Sequence, residues 1–319
     1  MTILVTGANG FVGNFLIRDL RKKSQYQLVG AVRNQAYADT DIRMFSVGDI
    51  DAVTDWSVAL DTVNVVVHLA ARVHIMNDSA ADPLSEFRKV NLHGTLNLAR
   101  QAVKAGVKRF VFVSSIKVNG ESTQANRPFT ASDTPCPHDD YGISKYEAEQ
   151  ELLKLADETG MEVVVIRPPL IYGAGVKANF ANMMRAVKRG TPLPLGAIHN
   201  KRSFVYIGNL VSLIVRCVDH HAAANQVFLV SDGDDLSTTE LLRACASALQ
   251  VKSRLLSIPQ RLLEAVATII GKRDIAQRLC ANLQVDITKT RTILGWSPPI
   301  SVVDGLRTTA ESLSETNNK

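Results

Sequence analysis

A doubly wound parallel α/β sheet is the fold that this sequence predicts, and three observations predict it. Short apolar, β-branched runs alternate with amphipathic stretches of helical period as far as Ile166, the pattern of strands covered on both faces by crossover helices. Gly7, Gly10 and Gly13 follow the first such run and open a helical pattern. With 46% hydrophobic residues in 319, the chain has the apolar surface to bury a core of that size.

The expected strands, in order, are Ile3–Val5, Gln27–Val32, the strand-like Met44–Val47, Val63–Leu69, Arg109–Val113 and Glu162–Ile166. Between them, Val12–Arg21 reads as a helix, and Arg21-Lys-Lys23 places positive charge at its C-terminal end. Asp82–Ala105 reads as a second helix, with Asp82 as cap and Pro83 in the first turn. Tyr141–Thr159 is a third, stopped by Gly160. After Arg167-Pro-Pro169 the pattern is irregular through Asn200, as in an inserted substrate region. Phe204–Asp219 reads as a short strand and a helix, and Gln226–Val230 as a strand returning to the main sheet. Ser237-Thr-Thr-Glu240 is a capping box ahead of the helical Leu241–Leu249. Leu294-Gly-Trp-Ser-Pro-Pro299 closes the fold, and the polar tail from Ser312 frays. This divides the chain into a nucleotide-binding domain, 1–167 completed by about 202–232, and a substrate region, 168–201 with 233–319. Met183-Met184 and the run Leu262–Ile270 read as core packing at helical spacing. The run could instead lie against a membrane if the substrate were lipid-linked.

A net charge of +5, spread along the chain, points away from nucleic acid. Cys136, Cys217, Cys245 and Cys280 form no C-x-x-C pair, so free thiols are expected, with neither a metal cage nor a redox pair. No uncharged apolar run reaches spanning length, and the first strand starts within three residues of Met1. A cytoplasmic protein without a membrane span is the expectation.

Two constellations carry chemistry. Glycines 7, 10 and 13, between a strand and a helix, let backbone amides and a helix N-terminus approach a pyrophosphate, as in dinucleotide sites. The second strand ends Ala31-Val32-Arg33 where an NAD site would carry an acid. Arg33 could clamp a 2′-phosphate, so NADP(H) is favoured over NAD(H); a solvated arginine is the alternative. Further on, Tyr141 stands one helical turn before Lys145. A tyrosine, with a pKa near ~10, becomes a base at neutral pH only if a nearby cation stabilises its phenolate.

The ordered set Thr6-Gly-Ala-Asn-Gly-Phe-Val-Gly13, His68-Leu-Ala-Ala71, Ser114-Ser115, Tyr141-Gly-Ile-Ser-Lys145, Arg167-Pro-Pro-Leu-Ile-Tyr-Gly173 and Leu294–Pro299 resembles the extended short-chain dehydrogenase/reductase family over nearly the whole chain. The resemblance implies a Rossmann-type sheet with a smaller C-terminal substrate region. It makes Tyr141 the proton donor or acceptor and Lys145 the anchor of the ribose. Ser115 polarises the reacting oxygen, because Ser115-Ile-Lys-Val-Asn-Gly120 parallels the family's S-x-x-V-Y-G. Around the cofactor it implies Gly7, Asn9, Gly10, Phe11, Val12 and Gly13, then Leu69, Ala70, Ala71, Ser114 and Pro168, with Asp49 and Ile50 at the adenine. His68 is structural, and Asn91 steadies the active-site helix.

For the substrate, the same resemblance implies that Lys177, Asn179 and Arg202 grip a nucleotide diphosphate, with Arg278 a further candidate and Lys117 and His74 near the sugar. No metal is needed. The chain departs from the family at Ser203 and Asn209, which replace aspartates, at Leu170 for an asparagine and at Asn119 for a tyrosine. No lysine follows Ala71, where Arg72, Val73 and His74 stand. The implied activity is reduction of UDP-2-acetamido-2,6-dideoxy-4-hexulose to UDP-N-acetylquinovosamine for surface polysaccharide. The alternatives are a UDP-glucose or UDP-N-acetylglucosamine 4-epimerase holding NAD(H), and a non-catalytic NADP(H) sensor. A homodimer through Asp82–Ala105 and Tyr141–Thr159 is also implied.

Overall fold

The chain opens with β1 (Thr2–Thr6), all five residues buried, as a central strand covered on both faces requires. In this computed structural model the described residues are 1–34, 42–73, 82–176, 178–269 and 271–315, and the side chains at 178, 179, 274, 314 and 315 lie outside the description. From β1 the chain turns at Gly7, φ +63°, into α1 (Phe11–Arg21). Next come β2 (Gln27–Val32), β3 (Arg43–Ser46) and β4 (Val65–His68).

The segment expected as one helix from Asp82 to Ala105 is three pieces. Asp82 caps α2 (Pro83–Arg88) by accepting from the Ser85 N–H, a single π-helical turn spans Lys89–Gly94, and α3 (Thr95–Lys104) follows. The wide turn has a packing cause. Gly94 lies against Ile50, whose Cγ2 would be 2.5 Å from any Cβ there, and Asn91 is drawn inward to its partners described below. Then follow β5 (Arg109–Val113), α4 (Asp140–Thr159), which ends at a left-handed Gly160, and β6 (Glu162–Arg167).

Beyond β6 the chain forms β7 (Leu170–Tyr172), α5 (Ala178–Lys188), β8 (Phe204–Tyr206), α6 (Ile207–Asp219) and β9 (Gln226–Leu229). Five helices complete it: α7 (Thr238–Ala248), α8 (Gln260–Ile269), α9 (Arg273–Cys280), α10 (Thr288–Leu294) and α11 (Val302–Glu315). The Ser237–Glu240 capping box closes in both directions at the start of α7.

The main sheet runs β3-β2-β1-β4-β5-β6-β9, all parallel, so strand order reverses between β1 and β4 and leaves a crevice at their C-terminal ends. β9 returns beside β6, as its sequence suggests. β8, by contrast, pairs with β7 in a separate two-stranded sheet. Met184 is buried and Met183 half-buried, as core packing requires. The expectation that Leu262–Ile270 packs in the core is corrected: α8 buries no side chain, and Leu262, Val266 and Ile269 face outward. Their spacing is helical, but the half-buried face of α8 is the one bearing Leu263 and Ala267. Ile270 lies outside the described residues.

One buried ion pair joins the sheet to the helix that carries Tyr141. Arg167, at the end of β6, donates from Nε to both oxygens of Glu149 at 3.0 and 3.1 Å and from Nη2 to Oε2 at 2.5 Å; both side chains are almost wholly buried. Its Nη1 donates to Asn119 Oδ1 at 3.0 Å, and Asn119 Nδ2 donates to the Thr130 carbonyl. Asn119, in the place of the family's tyrosine, is thus a buried structural amide. Arg167→Leu strands the Glu149 carboxylate without its partner and should cost about 3–5 kcal/mol in urea unfolding; a loss below about 1 kcal/mol would show the pair to be dispensable.

Candidate active site

The strand-end crevice begins with the glycine turn. A Cβ on Gly7 would lie 3.0 Å from the Ala70 nitrogen, and one on Gly13 would lie 2.2 Å from the Gly7 carbonyl oxygen, so these positions admit no larger residue without moving backbone. Gly10 donates to the Gly7 carbonyl at 2.8 Å and opens α1 with no side-chain cap, leaving first-turn N–H groups at Phe11 and Val12 for an anion. The Asn9 carbonyl accepts from Asn14 Nδ2 at 3.0 Å.

Thr6 fastens the next wall. Its hydroxyl oxygen accepts from the Leu69 and Ala70 N–H groups at 3.1 and 3.2 Å and lies 2.7 Å from His68 Nδ1. Having accepted two amides, the hydroxyl gives its proton to Nδ1. The imidazole is therefore neutral, and Nε2–H donates to Thr95 at 3.0 Å. Burial, then the Lys145 charge, lowers the His68 pKa to about 3, so it orients the Thr6 hydroxyl that holds Leu69 and Ala70 to β1 without titrating.

Ser115, Tyr141 and Lys145 converge at the ends of β5 and α4. Ser115 Oγ accepts from the Lys117 N–H at 3.2 Å, and its side chain is close enough to the Tyr141 phenol to influence its titration. Burial, then the Asp139 charge, pushes the Tyr141 pKa up to about 12, and the Ser115 side chain opposes them. Lys145 is buried, donates to the Val113 carbonyl at 2.9 Å and stands 4.2 Å from the Phe112 ring centroid. Burial lowers its pKa to about 7, against the pull of Glu149 one turn on. Asn91, from the π turn, donates to Ser144 Oγ at 3.0 Å and pairs with both the N–H and the carbonyl of Arg72, so it does steady α4.

The fit to a dinucleotide has a direct mark. The Ser114 hydroxyl is buried at the crevice, with no hydrogen-bond partner among the described residues. Beside it, the Pro168 carbonyl accepts from Ile116 at 3.0 Å, and Ile50 packs on Gly94. At the far end Arg33 meets Asp49 at 3.1 Å, both well exposed. A bound nicotinamide dinucleotide would be held by the glycine turn, Ser114 and Lys145.

The sequence did not single out Asp139. It caps α4 by accepting from the Gly142 N–H at 2.8 Å, and its other oxygen holds the Lys117 ammonium. The signal was an Asp pair just ahead of the tyrosine helix. Lys117, expected near the sugar, is thus committed to this carboxylate. Arg202 is half-buried and donates to the Ala281 carbonyl at 3.0 Å, and Arg278 lies exposed on α9. Lys177, His74 and the Asn179 side chain lie outside the described residues. The carboxylates missing at 203 and 209 reappear opposite them: Ser203 donates to Asp235 at 2.5 Å and Asn209 to Asp232 at 2.7 Å.

Comparison with known proteins agrees with this architecture. Residues 3–231 match the NAD dependent epimerase/dehydratase family. A Vibrio cholerae protein named UDP-glucose 4-epimerase is 51% identical over 319 residues, 100% of this chain and 97% of the relative. An Escherichia coli O157:H7 protein named N-acetyl-α-D-glucosaminyl-diphospho-ditrans,octacis-undecaprenol 4-epimerase is 27% identical over 97% of this chain and 94% of its own. The structure of a Bacillus cereus UDP-glucuronic acid 4-epimerase with UDP-glucuronic acid and NAD superposes with a TM-score of 0.80 at 20% identity, covering 99% of this chain and 100% of that one.

Two outcomes follow from the geometry. Gly13→Ala should abolish dinucleotide binding in calorimetric titration, and retained affinity would show that the turn does not cradle the ligand. Lys117→Met leaves the Asp139 charge uncompensated beside Tyr141 and should move the acid limb of the pH–rate profile for sugar oxidation up by about one unit. Asp139→Asn keeps a capping oxygen, removes the charge and should move that limb down. Shifts of the same sign would dismiss the electrostatic link.

Proposed function

The chain belongs to the NAD dependent epimerase/dehydratase family, and from that premise we propose that it is a nucleotide-sugar oxidoreductase acting at C4, working as a UDP-hexose or UDP-N-acetylhexosamine 4-epimerase on bound NAD. The observation that carries this reading is the convergence of Ser115, Tyr141 and Lys145 beside the uncapped glycine turn. Full-length likeness to a UDP-glucose 4-epimerase supports the choice of reaction. The Arg33–Asp49 pair supports the choice of NAD, because a 2′-phosphate at Arg33 would meet the Asp49 carboxylate. The NADP(H) preference expected from Arg33, and the reduction of UDP-2-acetamido-2,6-dideoxy-4-hexulose expected from Arg33 together with the departures in the sugar pocket, take second place.

A nicotinamide dinucleotide held by the glycine turn and Ser114 would supply a hydride acceptor for the sugar carbon and a donor to the opposite face of the resulting 4-keto sugar. Tyr141 takes the proton of the C4 hydroxyl during oxidation and returns it during reduction. Ser115 hydrogen-bonds that same oxygen. Lys145, buried with its charge near its own titration, stabilises the phenolate and anchors the ribose. Arg202 is our first candidate for the sugar's diphosphate, with Lys177, Asn179 and Arg278 behind it. We place a homodimer contact on the groove between α3 and α4 that Leu92, Leu96 and Tyr146 line.

A second reading changes only the carrier of the sugar, from uridine diphosphate to polyprenyl diphosphate. The exposed apolar stripe of α8 favours it, and one relative is named for such a substrate.

Protein denatured straight after purification should release NAD(H) in stoichiometric amount by mass spectrometry. An empty protein that prefers NADPH would restore the reductase. Tyr141→Phe should slow interconversion of UDP-glucose and UDP-galactose, or of their N-acetylated forms, by roughly 10²–10⁴-fold. Unchanged turnover in that variant would remove Tyr141 from the chemistry, and a chain inert towards both sugar pairs would fit the sensor instead.

A further inference from the structure

Residues 251–280 hold an unusual surface. α8 lies on α9 and buries none of its side chains. Leu262, Val266 and Ile269 are 53%, 47% and 84% exposed and fall at i, i+4 and i+7, one stripe along the helix. Leu256 and Ile275, each 53% exposed, lie just before α8 and on α9. A run of large apolar side chains facing solvent is not left bare without a partner.

The charge of the same segment says what the partner is. Lys252, Arg254, Arg261, Lys272, Arg273 and Arg278, all exposed, stand against Glu264 and Asp274, a net +4 of the chain's +5. Most of the chain's net positive charge thus falls in the sequence segment that carries the apolar stripe. Apolar side chains within a basic surround match an anionic bilayer, where the stripe enters the acyl boundary and the cations meet the headgroups. Among the described residues no helix is long and apolar enough to cross a membrane, so such contact is peripheral.

The surface is tied to the candidate site. The carbonyls at the end of α9 are held by polar side chains of other segments: Leu279 by Asn200 at 3.1 Å and by Thr238 at 2.5 Å, and Ala281 by Asn200 at 2.9 Å and by Arg202 at 3.0 Å. The side chain put forward for a sugar diphosphate is thus bonded to the base of the exposed hairpin.

We infer that the α8–α9 hairpin docks the protein on an anionic phospholipid surface, bringing the Arg202 end of the crevice to a diphosphate presented at the headgroup level. The presentation rests on the polyprenyl-diphosphate reading above, whereas the docking is measured without it.

The test is co-sedimentation of the full chain with vesicles of phosphatidylcholine alone or with roughly 30 mol % phosphatidylglycerol, in about 0.1 M salt. Binding is expected only to the anionic vesicles. It should weaken roughly tenfold in Val266→Glu/Ile269→Glu and again in Arg261→Glu/Arg273→Glu. No sedimentation with anionic vesicles, or sedimentation of both variants equal to that of the unsubstituted chain, overturns the inference. So does loss of self-association in the first variant without any vesicle binding, which would make the stripe a contact between copies. UDP-sugar interconversion without vesicles, measured on the same variants, should be unchanged. A chain that binds vesicles but converts no UDP-sugar fails the function proposed above and leaves the docking intact.

Discussion

A lysine ammonium enclosed by protein is the constraint on which the crevice depends. Among the described residues Lys145 has one carbonyl acceptor, at Val113, and the face of Phe112, too little to compensate a full charge in a dry site. The surrounding residues make up part of the difference. Glu149 supplies the opposing charge and is itself fixed by Arg167, whose Nη1 donates to Asn119. His68, stacked on Phe112, must stay neutral, and the Thr6 and Thr95 hydroxyls hold it in the one tautomer that satisfies both. A ligand offering hydroxyl oxygens to the ammonium would complete the shell.

Much of this could be read from the chain because it depends on local order. A β-branched run, a glycine turn and a helix are neighbours in sequence, so β1, Gly7, Gly13 and α1 are legible without coordinates. Ser115, Tyr141 and Lys145 are recognisable by their order and by the single helical turn between the last two. What escaped depends on pairs far apart in the chain. Asp49 meets Arg33 only because β2 and β3 lie side by side, and that contact changes what the arginine can offer a ribose. The apolar period of α8 is genuine, yet period alone does not say whether a neighbour exists to cover it.

The departures at Ser203 and Asn209 show a related limit. Each replaces an acid, which reads as a lost function when the position is considered alone. In the fold, Asp235 and Asp232 stand opposite them, so each contact has one carboxylate and one donor. Asp232 also accepts from the Tyr172 phenol and the Tyr206 N–H, which joins the small sheet to the end of β9.

The π turn at Lys89–Gly94 has a consequence for helical phase. It lodges an extra residue between α2 and α3, so the two helices are out of step by one position. A chain one residue shorter here could form a single regular helix and gain local regularity. Winding the present residues as that regular helix instead would rotate everything beyond the turn by about 100° relative to what precedes it, and Asn91 and Thr95 could no longer face Ser144 and His68 together. The irregular turn is the adjustment that lets one stretch of chain meet two fixed neighbours, and a length change there would be felt at α4 and at β4 while leaving Ser115, Tyr141 and Lys145 in place in the sequence.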